Sequence, residues 1–552
     1  MGKDVTYLDC DVEEPNGHLF LKPDISKIED VTLVSPVGVD EDKCIKCGKC
    51  VQACTYNAIA MVNEKMLFFP ELCHVCGGCK VVCPADAIIE KDKKIGELKH
   101  GTSMGMDVHY ALLETGEGGM SPRLIKKVKA CSGNGINIRD CPPGTACPAV
   151  ESVEGADLVV LITDPTPFGI NDLKLAVNMC REIGVEPVVM VNRADYRDNA
   201  LKEYCKEAKV DIIGEIPDDR RIAEVYSRGD MLMGNIPEYE ELFKKLTQAV
   251  LDASKEKREV HPPENVEYSG EIMKPVEIQD MSGKPRPKEL VIISGKGGTG
   301  KTSITACFAA LAGQSGIGDC DVDAADLHLL LKPEVKTAGL FSGGVWVEID
   351  QDKCTHCGRC HQECRFEAID VVQENGVKKY HIDPVACEGC GVCGLVCKFD
   401  AIEMEDAVNG KWFQSETRFG PMAHAELGIA EENSGRLVTL VKEKAENAGE
   451  DKVIIDGAPG TGCPVIASIS GADYALIVTE PTVSGVHDME RVMQVTKHFG
   501  VRTGVLINKC DLNQDMVERI MVLSRKYGAE IMGELPYDNE SVSYTHLRAH
   551  ET

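Results

Sequence analysis

The sequence predicts an α/β fold in which a mostly parallel sheet, with helices on both faces, occurs twice along the chain. Apolar, β-branched runs alternate with helical spans in two matching series: Leu158–Thr163, Asn171–Ile183 and Pro187–Val191, then Tyr474–Thr479, Val486–Phe499 and Thr503–Ile507. Such alternation is typical of parallel strands that helices cover on both sides. A cysteine-rich segment precedes each series in its copy, and we expect each to form a small inserted α+β domain. Ligands should bind at the carboxyl ends of the strands.

A glycine-rich loop separates a strand from a helix in the second half of the chain. The apolar run Leu290–Ile293 precedes the loop Ser294–Thr302, and Ser303–Ala312 has the pattern of a helix. Gly-x4-Gly-Lys-Thr in this setting is typical of a P-loop, because glycines let backbone N–H groups converge on phosphate and the helix N-terminus adds positive charge. We expect Lys301 to reach the β- and γ-phosphates and Thr302 to hold Mg²⁺. A glycine-rich turn without a ligand is the alternative. The residues predicted to bind ATP or ADP in this segment are Gly295, Lys296, Gly297, Gly298, Thr299, Gly300, Lys301, Thr302 and Ser303.

The net charge of the chain limits the classes of partner that it can bind. The 552 residues include 89 acidic and 60 basic ones, for a net charge of −29. Such a chain is a poor match for the nucleic-acid backbone or for an anionic membrane. We find no run of 18 apolar residues and no leader, so we expect a soluble, cytoplasmic protein without stable membrane insertion.

The chain contains two copies of one unit. Asp9-Cys10-Asp11 recurs 310 residues later as Asp319-Cys320-Asp321, and further pairs follow in the same order. The first copy begins after the position of the P-loop and so lacks one, and the second stops shortly after Pro536. The expected units are 1–38 with 100–253 and 289–348 with 407–542 for the two copies, 39–99 and 349–406 for their inserts, 254–288 for a linker, and 543–552 for a non-native tail.

Sixteen of the 26 cysteines form four quartets with the spacing of bacterial two-cluster ferredoxins. In that pattern the fourth cysteine of each quartet binds the neighbouring cluster. The four predicted [4Fe–4S] ligand sets are Cys44, Cys47, Cys50 and Cys83; Cys73, Cys76, Cys79 and Cys54; Cys354, Cys357, Cys360 and Cys397; and Cys387, Cys390, Cys393 and Cys364. Zinc and disulfides are the alternatives, but the quartets are too compact for paired CxxC zinc sites. Paired clusters usually transfer electrons, and a purely structural role is the other reading.

These motifs together closely resemble the MinD-superfamily P-loop ATPases that carry an inserted ferredoxin domain, kin of the nitrogenase iron protein, the Mrp-type carriers and the ParA/MinD ATPases. The resemblance implies that Lys296 is the signature lysine of a deviant Walker A loop and crosses a dimer interface. It implies that Asp321 orients the attacking water, that Asp456 holds Mg²⁺ through water, and that Asn508 contacts the adenine. Each residue also has a simpler interpretation. Lys296 could be a solvated lysine and Asp321 a helix cap. Asp456 could be a turn residue, and Asn508 could form a turn at the end of a strand. Asp11, Asp140 and Asn192 hold the equivalent places in copy one.

The leading hypothesis is an ATPase whose nucleotide state controls electron transfer, with Lys296, Lys301 and Asp321 as the catalytic residues. Its expected cofactors are ATP or ADP, Mg²⁺ and four [4Fe–4S] clusters. Its expected partners are a redox protein or an iron–sulfur client, and the copies pair either within one chain or between two chains. The alternatives are a cluster carrier or metallocofactor-maturation ATPase, and a ParA/MinD-like regulatory ATPase. Cys147 and Cys463 could support a bridging cluster, although small buried residues are the favoured reading.

Overall fold

The computed structural model describes residues 4–538 except 57, 63, 116, 195–198, 264–271, 274–285, 375, 385, 429–433 and 449. Most of the linker expected at 254–288 lies outside the described residues, and the tail expected at 543–552 lies entirely outside them. Among the described residues, no helix has both the length and the apolar character needed to span a membrane.

Twenty-four strands and seventeen α-helices follow one another along the described chain. The first copy and its insert contain β1 (Val5–Asp9), α1 (Gly17–Leu21), β2 (Asp24–Val39), α2 (Lys49–Gln52), β3 (Ile59–Val62), β4 (Lys65–Phe68), α3 (Gly78–Val81), β5 (Ile88–Ser103), β6 (Met106–Leu113), α4 (Ser121–Lys129), β7 (Ile136–Asp140), α5 (Cys147–Val153), β8 (Val160–Thr163), α6 (Pro167–Glu182), β9 (Val188–Val191), α7 (Ala200–Ala208), β10 (Ile212–Glu215), α8 (Arg220–Ser227) and α9 (Glu240–Ala253). The remainder contains β11 (Ile272–Met273), β12 (Lys288–Ser294), α10 (Lys301–Ala312), β13 (Gly316–Asp319), α11 (Leu327–Leu331), β14 (Glu334–Phe341), β15 (Gly344–Ile349), α12 (Arg359–Glu363), β16 (Ile369–Glu374), β17 (Val377–Ile382), α13 (Val392–Val396), β18 (Ile402–Ala407), β19 (Gly410–Thr417), β20 (Gly420–Leu427), α14 (Ser434–Glu446), β21 (Lys452–Pro459), α15 (Cys463–Ile469), β22 (Tyr474–Thr479), α16 (Val483–His498), β23 (Arg502–Asn508), α17 (Gln514–Tyr527) and β24 (Glu530–Leu535).

The second copy forms a ten-stranded sheet in the order β11-β14-β19-β20-β13-β21-β12-β22-β23-β24. The strands from β20 to β24 in that order run parallel, and β19 is antiparallel to both of its neighbours. Side chains alternate across the central strand β12: Val291 and Ile293 pack into one core with Leu437 of α14, and Ile292 packs into another with Ile304 of α10. Helices therefore cover both faces, and the predicted fold class is confirmed.

The described strands of the first copy follow the same order, but in two separate sheets. Its strands form a five-stranded sheet β2-β5-β6-β1-β7 and a three-stranded sheet β8-β9-β10, and no described strand joins β7 to β8. In the second copy that place belongs to β12, which leads into the glycine-rich loop. Ile138 of β7 and Ile162 of β8 are consequently 48% and 67% exposed, whereas the matching Ile454 and Val478 are buried. Within the described residues, the sheet of the first copy is thus interrupted at the place that β12 holds in the second.

Each insert is connected to the antiparallel strands at one edge of its copy's main sheet. In the first, β2 and β5 form one long ribbon that continues from the main sheet to the cysteine segment, where β3 and β4 form a hairpin. The boundary expected at residue 99 falls inside β5, whose residues 96–103 pair with β6. In the second insert the pairs are β15 with β18 and β16 with β17. The ribbon joins the first insert to the main sheet without an intervening loop.

Candidate nucleotide site and cysteine centres

The glycine-rich loop turns sharply between β12 and α10. Gly298 and Gly300 have positive φ angles of 78° and 91°, a conformation that side chains with a Cβ disfavour. A Cβ on Gly300 would also lie 2.6 Å from Asn508 Nδ2. Asn508, at the end of β23, donates from Nδ2 to the Thr299 carbonyl at 2.8 Å. The asparagine expected near the adenine therefore also braces the loop itself.

Lys301 lies at the centre of a buried ionic cluster. Its Nζ is 3.0 Å from Asp456 Oδ1 and 3.3 Å from Asp321 Oδ2, which brings together three of the predicted site residues. Burial alone would lower the pKa of Lys301, but the carboxylates of Asp456 and Asp321 raise that pKa above its usual value. Burial raises the pKa of Asp321 to about 6 against the opposing charge of Lys301. Burial and the nearby Asp456 also raise the pKa of Asp319 well above its usual value.

The cluster has the donor chemistry for a divalent cation. Asp456 Oδ1 accepts a hydrogen bond from Thr305 Oγ1 at 2.8 Å. Asp456 Oδ2 is buried and has no hydrogen-bond partner among the described residues, which is costly for a carboxylate oxygen. Thr302 Oγ1 is 3.5 Å from Lys301 Nζ and so lies at the same place. Asp319, Asp321 and Asp456 thus place three carboxyl groups near one ammonium, a set of oxygen donors of the kind that Mg²⁺ favours.

The first copy faces this site. Lys296 Nζ donates to Ser484 Oγ of its own copy at 2.8 Å and to Tyr226 Oη at 3.2 Å. Tyr226 belongs to α8 of the first copy, and its ring centroid is 5.1 Å from Lys296 Nζ. The lysine that the sequence places at a dimer interface therefore contacts the opposite copy within this one chain.

Further polar contacts hold the two copies face to face. Asn171 donates to Asp326 Oδ1 at 3.2 Å, Asn16 donates to Asp488 Oδ2 at 3.2 Å, and Arg491 donates to the Leu113 carbonyl at 3.0 Å. A cavity of about 2630 Å³ lies between the copies. Its lining includes the glycine-rich loop with Lys301 and Asp321 from the second copy, and Asp11 and Asp172 from the first. Residues of both copies thus surround the space next to the loop.

The equivalent residues of the first copy are arranged differently. Asp140, which corresponds to Asp456, accepts a hydrogen bond from Tyr7 Oη at 2.6 Å instead of facing a lysine. Asp11 and Asn192 both line the large cavity. Since the described part of the first copy contains no glycine-rich phosphate loop, these residues face the cavity without the cationic partner present in the second copy.

In the first insert the structure gathers the cysteines into the two sets that the sequence predicts. Cys44, Cys47, Cys50 and Cys83 line one small cavity beneath β2. The thiols of Cys73, Cys76 and Cys54 lie close enough to Cys79 to help raise its pKa. The Ala58 and Ala87 amides donate to Cys54 Sγ and Cys83 Sγ at 3.3 and 3.2 Å. The fourth cysteine of each quartet therefore lies with the other quartet's first three.

In the second insert the structure brings together members of both predicted sets. Cys393 has Cys387 and Cys364 among its electrostatic neighbours, and Cys360 has Cys354 and Cys357. Clusters of four closely spaced thiols fit iron–sulfur cubanes by donor type and number. Outside the inserts, Cys147 is buried at the start of α5, and Cys463 is half-buried at the start of α15.

Three residues near the nucleotide site escaped the sequence analysis. Thr305 lies one helical turn after Lys301, a position from which its hydroxyl reaches Asp456, so the spacing alone could have suggested it. Asp319 belongs to the Asp-Cys-Asp motif and could have been assigned with Asp321. Tyr226 offered no signal, because only the packing of the two copies brings it to Lys296.

Comparisons with known proteins match these features. The model of the 4Fe-4S dicluster domain matches residues 37–90 and 347–404. MJ0578, an uncharacterized protein of Methanocaldococcus jannaschii, is 35% identical over 255 residues, which is 45% of this chain and 84% of the relative. A putative septum site-determining protein MinD of Oltmannsiellopsis viridis is 25% identical over 114 residues, covering 20% of this chain and 35% of the relative. The solved MinD cell division protein of Aquifex aeolicus is 21% identical with a TM-score of 0.26, covering 47% of this chain and 86% of that one.

The strand order and the cysteine sets define a class of proteins with parallel α/β units that carry 4Fe-4S dicluster domains, present here as a tandem pair that is similar in sequence to MinD. Within that class, the chain belongs to the family of MJ0578.

Proposed function

We propose that this chain binds and hydrolyses ATP and that its nucleotide state controls electron transfer through four ferredoxin-type [4Fe–4S] clusters. The observation that carries the proposal is the Lys301 cluster at the end of a glycine-rich loop. Lys301 Nζ lies between Asp456 and Asp321, and one oxygen of Asp456 is left for a cation. The clusters, when bound, supply one-electron transfer at low potential.

The residues around the loop have complementary roles in this proposal. The loop amides and Lys301 neutralise charge on the β- and γ-phosphates, while Thr302 and Asp456 hold Mg²⁺. Asp321 orients the attacking water, and Lys296 adds a second positive charge from the face shared with the first copy. Asn508 keeps the loop in shape through Thr299 and borders the space for the adenine. Closure of the two copies of one chain would exclude water from the reacting phosphate.

Lys296→Ala should lower kcat for ATP hydrolysis by about 100-fold, the typical cost of one preorganised donor that acts mainly in the transition state. Because Lys301 and the loop amides remain, KM for ATP should change much less. The matched control is Lys336→Ala, an exposed lysine on β14. Steady-state kinetics of both variants would decide, and an unchanged kcat for Lys296→Ala would mean that this lysine is only a contact between the copies.

Two equivalent arginines connect each copy to the insert of the other copy. Arg436 at the start of α14 donates to the Gly343 carbonyl, at the base of its own insert, and to the Thr55 carbonyl of the first insert. Its counterpart Arg123 at the start of α4 lies 4.3 Å from the ring centroid of Phe366 in the second insert. Thr55 is the residue after the cluster-ligand candidate Cys54, and Phe366 is the second residue after the candidate Cys364. A movement of α14 would therefore reach both inserts.

Arg436→Ala should remove the effect of nucleotide on the reoxidation rate of the reduced protein while ATP turnover stays within about threefold, since the guanidinium does not touch the ionic cluster of Lys301. Arg123→Ala, the counterpart on the copy without a described phosphate loop, should have a smaller effect. Arg418→Ala, which removes a surface arginine beside Phe419, is the control. Retained nucleotide dependence in Arg436→Ala would exclude this helix as the connection.

A measurement of how readily the clusters leave the protein would distinguish electron transfer from the delivery of clusters to other proteins. Clusters that stay bound during turnover support electron transfer. Transfer of iron and sulfide from the loaded protein to an apo-ferredoxin, accelerated by ATP, would instead establish a carrier or maturation ATPase. ATP turnover that is indifferent to the redox state of the clusters would favour a regulatory ATPase.

A further inference from the structure

The two inserts pack directly against each other near the centre of the molecule. The contact is formed by α3 with the loop before it in the first insert, and by α13 with the loop before it in the second. Helices α3 and α13 are in contact, and the thiols of Cys76 and Cys390 in the loops before them are neighbours across this contact. The ligand set that contains the contacting cysteine is termed the inner set of its insert. The inner set of the first insert is Cys54, Cys73, Cys76 and Cys79, and that of the second is Cys364, Cys387, Cys390 and Cys393.

Glycines allow this close approach. A Cβ on Gly78 would lie 3.2 Å from Val392 Cγ2, and a Cβ on Gly77 would lie 2.5 Å from Arg365 Nε. Val392 and the neighbouring Val75 are both only 2% exposed. The chain segments that carry the two thiols are therefore closely packed, with buried valines beside the half-buried cysteines.

Specific polar contacts fix the two inserts in this position. His74 Nδ1 is 2.7 Å from Glu388 Oε2, and Tyr56 Oη donates to the Glu388 carbonyl at 3.0 Å. Arg365 of the second insert donates to Glu90 Oε1 at 2.9 Å and to the Val34 carbonyl at 3.0 Å in the first. Contacts on both sides of the thiol pair hold it in a defined geometry.

We propose that the Cys76–Cys390 contact is an electron-transfer bridge that joins the inner clusters of the two inserts, so that all four clusters form one chain. The proposal rests on the iron–sulfur ligation proposed above. In the step, one electron leaves the inner cluster of one insert and reduces the inner cluster of the other, with no bond made or broken and no proton moved. Tunnelling rates fall steeply with distance, and two ligands in contact give the shortest path between separate clusters.

The exposure of the remaining cysteines agrees with such a chain. Cys47 and Cys357, in the outer sets of the first and second inserts, are exposed, whereas Cys76 and Cys390 are not. Electrons can thus enter or leave at either outer end, and the bridge connects these ends inside the molecule. The arginines 123 and 365 lie near Cys76, where positive charge favours the reduced, more negative state of the inner clusters.

The test is electron paramagnetic resonance of the full chain, reduced anaerobically with excess dithionite. The wild-type spectrum should show magnetic interaction between the two inserts. In Gly78→Leu, whose side chain pushes Val392 away, this interaction should disappear and leave two independent two-cluster signals. Gly38→Leu is the control, because a Cβ at Gly38 meets no atom within 4 Å.

Iron content must match in the proteins that are compared. If Gly78→Leu loses iron, the double variant His74→Ala with Glu388→Ala separates the same surfaces without adding volume. Identical spectra for wild type and for an iron-replete separated variant would overturn the bridge. That result would leave the proposed ATP hydrolysis untouched, since the spectra are recorded without nucleotide.

Discussion

Lys301→Ala should lower Mg·ATP hydrolysis by at least about 1000-fold, because it removes a positive charge that acts on the phosphates in a water-excluded site. In the structure Lys301 is the ammonium group between Asp456 and Asp321. Its loss would leave these buried carboxylates facing each other, so a bound nucleotide would meet negative charge instead of a cationic partner. Phosphate release measured at saturating ATP gives the effect on kcat, and titration with a fluorescent ATP analogue gives the effect on binding.

The matched control is Lys452→Ala, which removes an exposed lysine from the opposite end of the strand that carries Asp456. This variant should hydrolyse ATP like the wild type. The same melting temperature and iron content for both variants would show that any loss is local to the site. Wild-type turnover in a well-folded Lys301→Ala protein would refute the assignment of the glycine-rich loop as the catalytic site.

Paired cysteine substitutions should reveal which cysteines share a cluster. The loaded protein should contain about sixteen irons, four for each cubane. Cys44→Ala with Cys83→Ala removes two members of one proposed set, so about twelve irons should remain. Cys44→Ala with Cys54→Ala affects two sets, so about eight should remain. If each quartet bound its own cluster instead, the two results would be exchanged.

Cys205→Ala provides the control, because Cys205 is a buried cysteine of α7 far from the quartets in the sequence. It should retain the full complement of iron. Iron and sulfide analysis after anaerobic reconstitution measures all four proteins. Equal iron in the two double variants would contradict the ligand sets that the structure brings together.

Local sequence patterns were sufficient for the parts of the site that lie close together along the chain. The glycine-rich loop and the cysteine quartets carry their chemistry in their spacing, and the strand-helix alternation predicts the sheet of the second copy. The resemblance to the MinD superfamily implied the role of Asp456, and the structure brings this residue to Lys301. The glycine-rich loop, the cysteine spacing and the strand-helix alternation each depend on residues close together in the sequence, so a short segment is enough to recognise them.

Contacts between distant segments could not be predicted in the same way. Tyr226 meets Lys296, and Cys76 meets Cys390, only because two copies of one fold pack face to face. The spacing of residues along the chain contains no information on that packing. The separation of the first copy's strands into two sheets is seen only in the strand order, where no described strand lies between β7 and β8.

The rate at which the reduced protein loses electrons to an acceptor tests the central claim most directly. The clusters are reduced with dithionite, excess reductant is removed, and reoxidation by a viologen dye is followed by absorbance with Mg·ATP, Mg·ADP or no nucleotide. We expect rates that differ between the three conditions in the wild type and coincide in Lys301→Ala. Three equal rates in a wild-type protein that hydrolyses ATP and holds its full iron would contradict the coupling of nucleotide state to electron transfer.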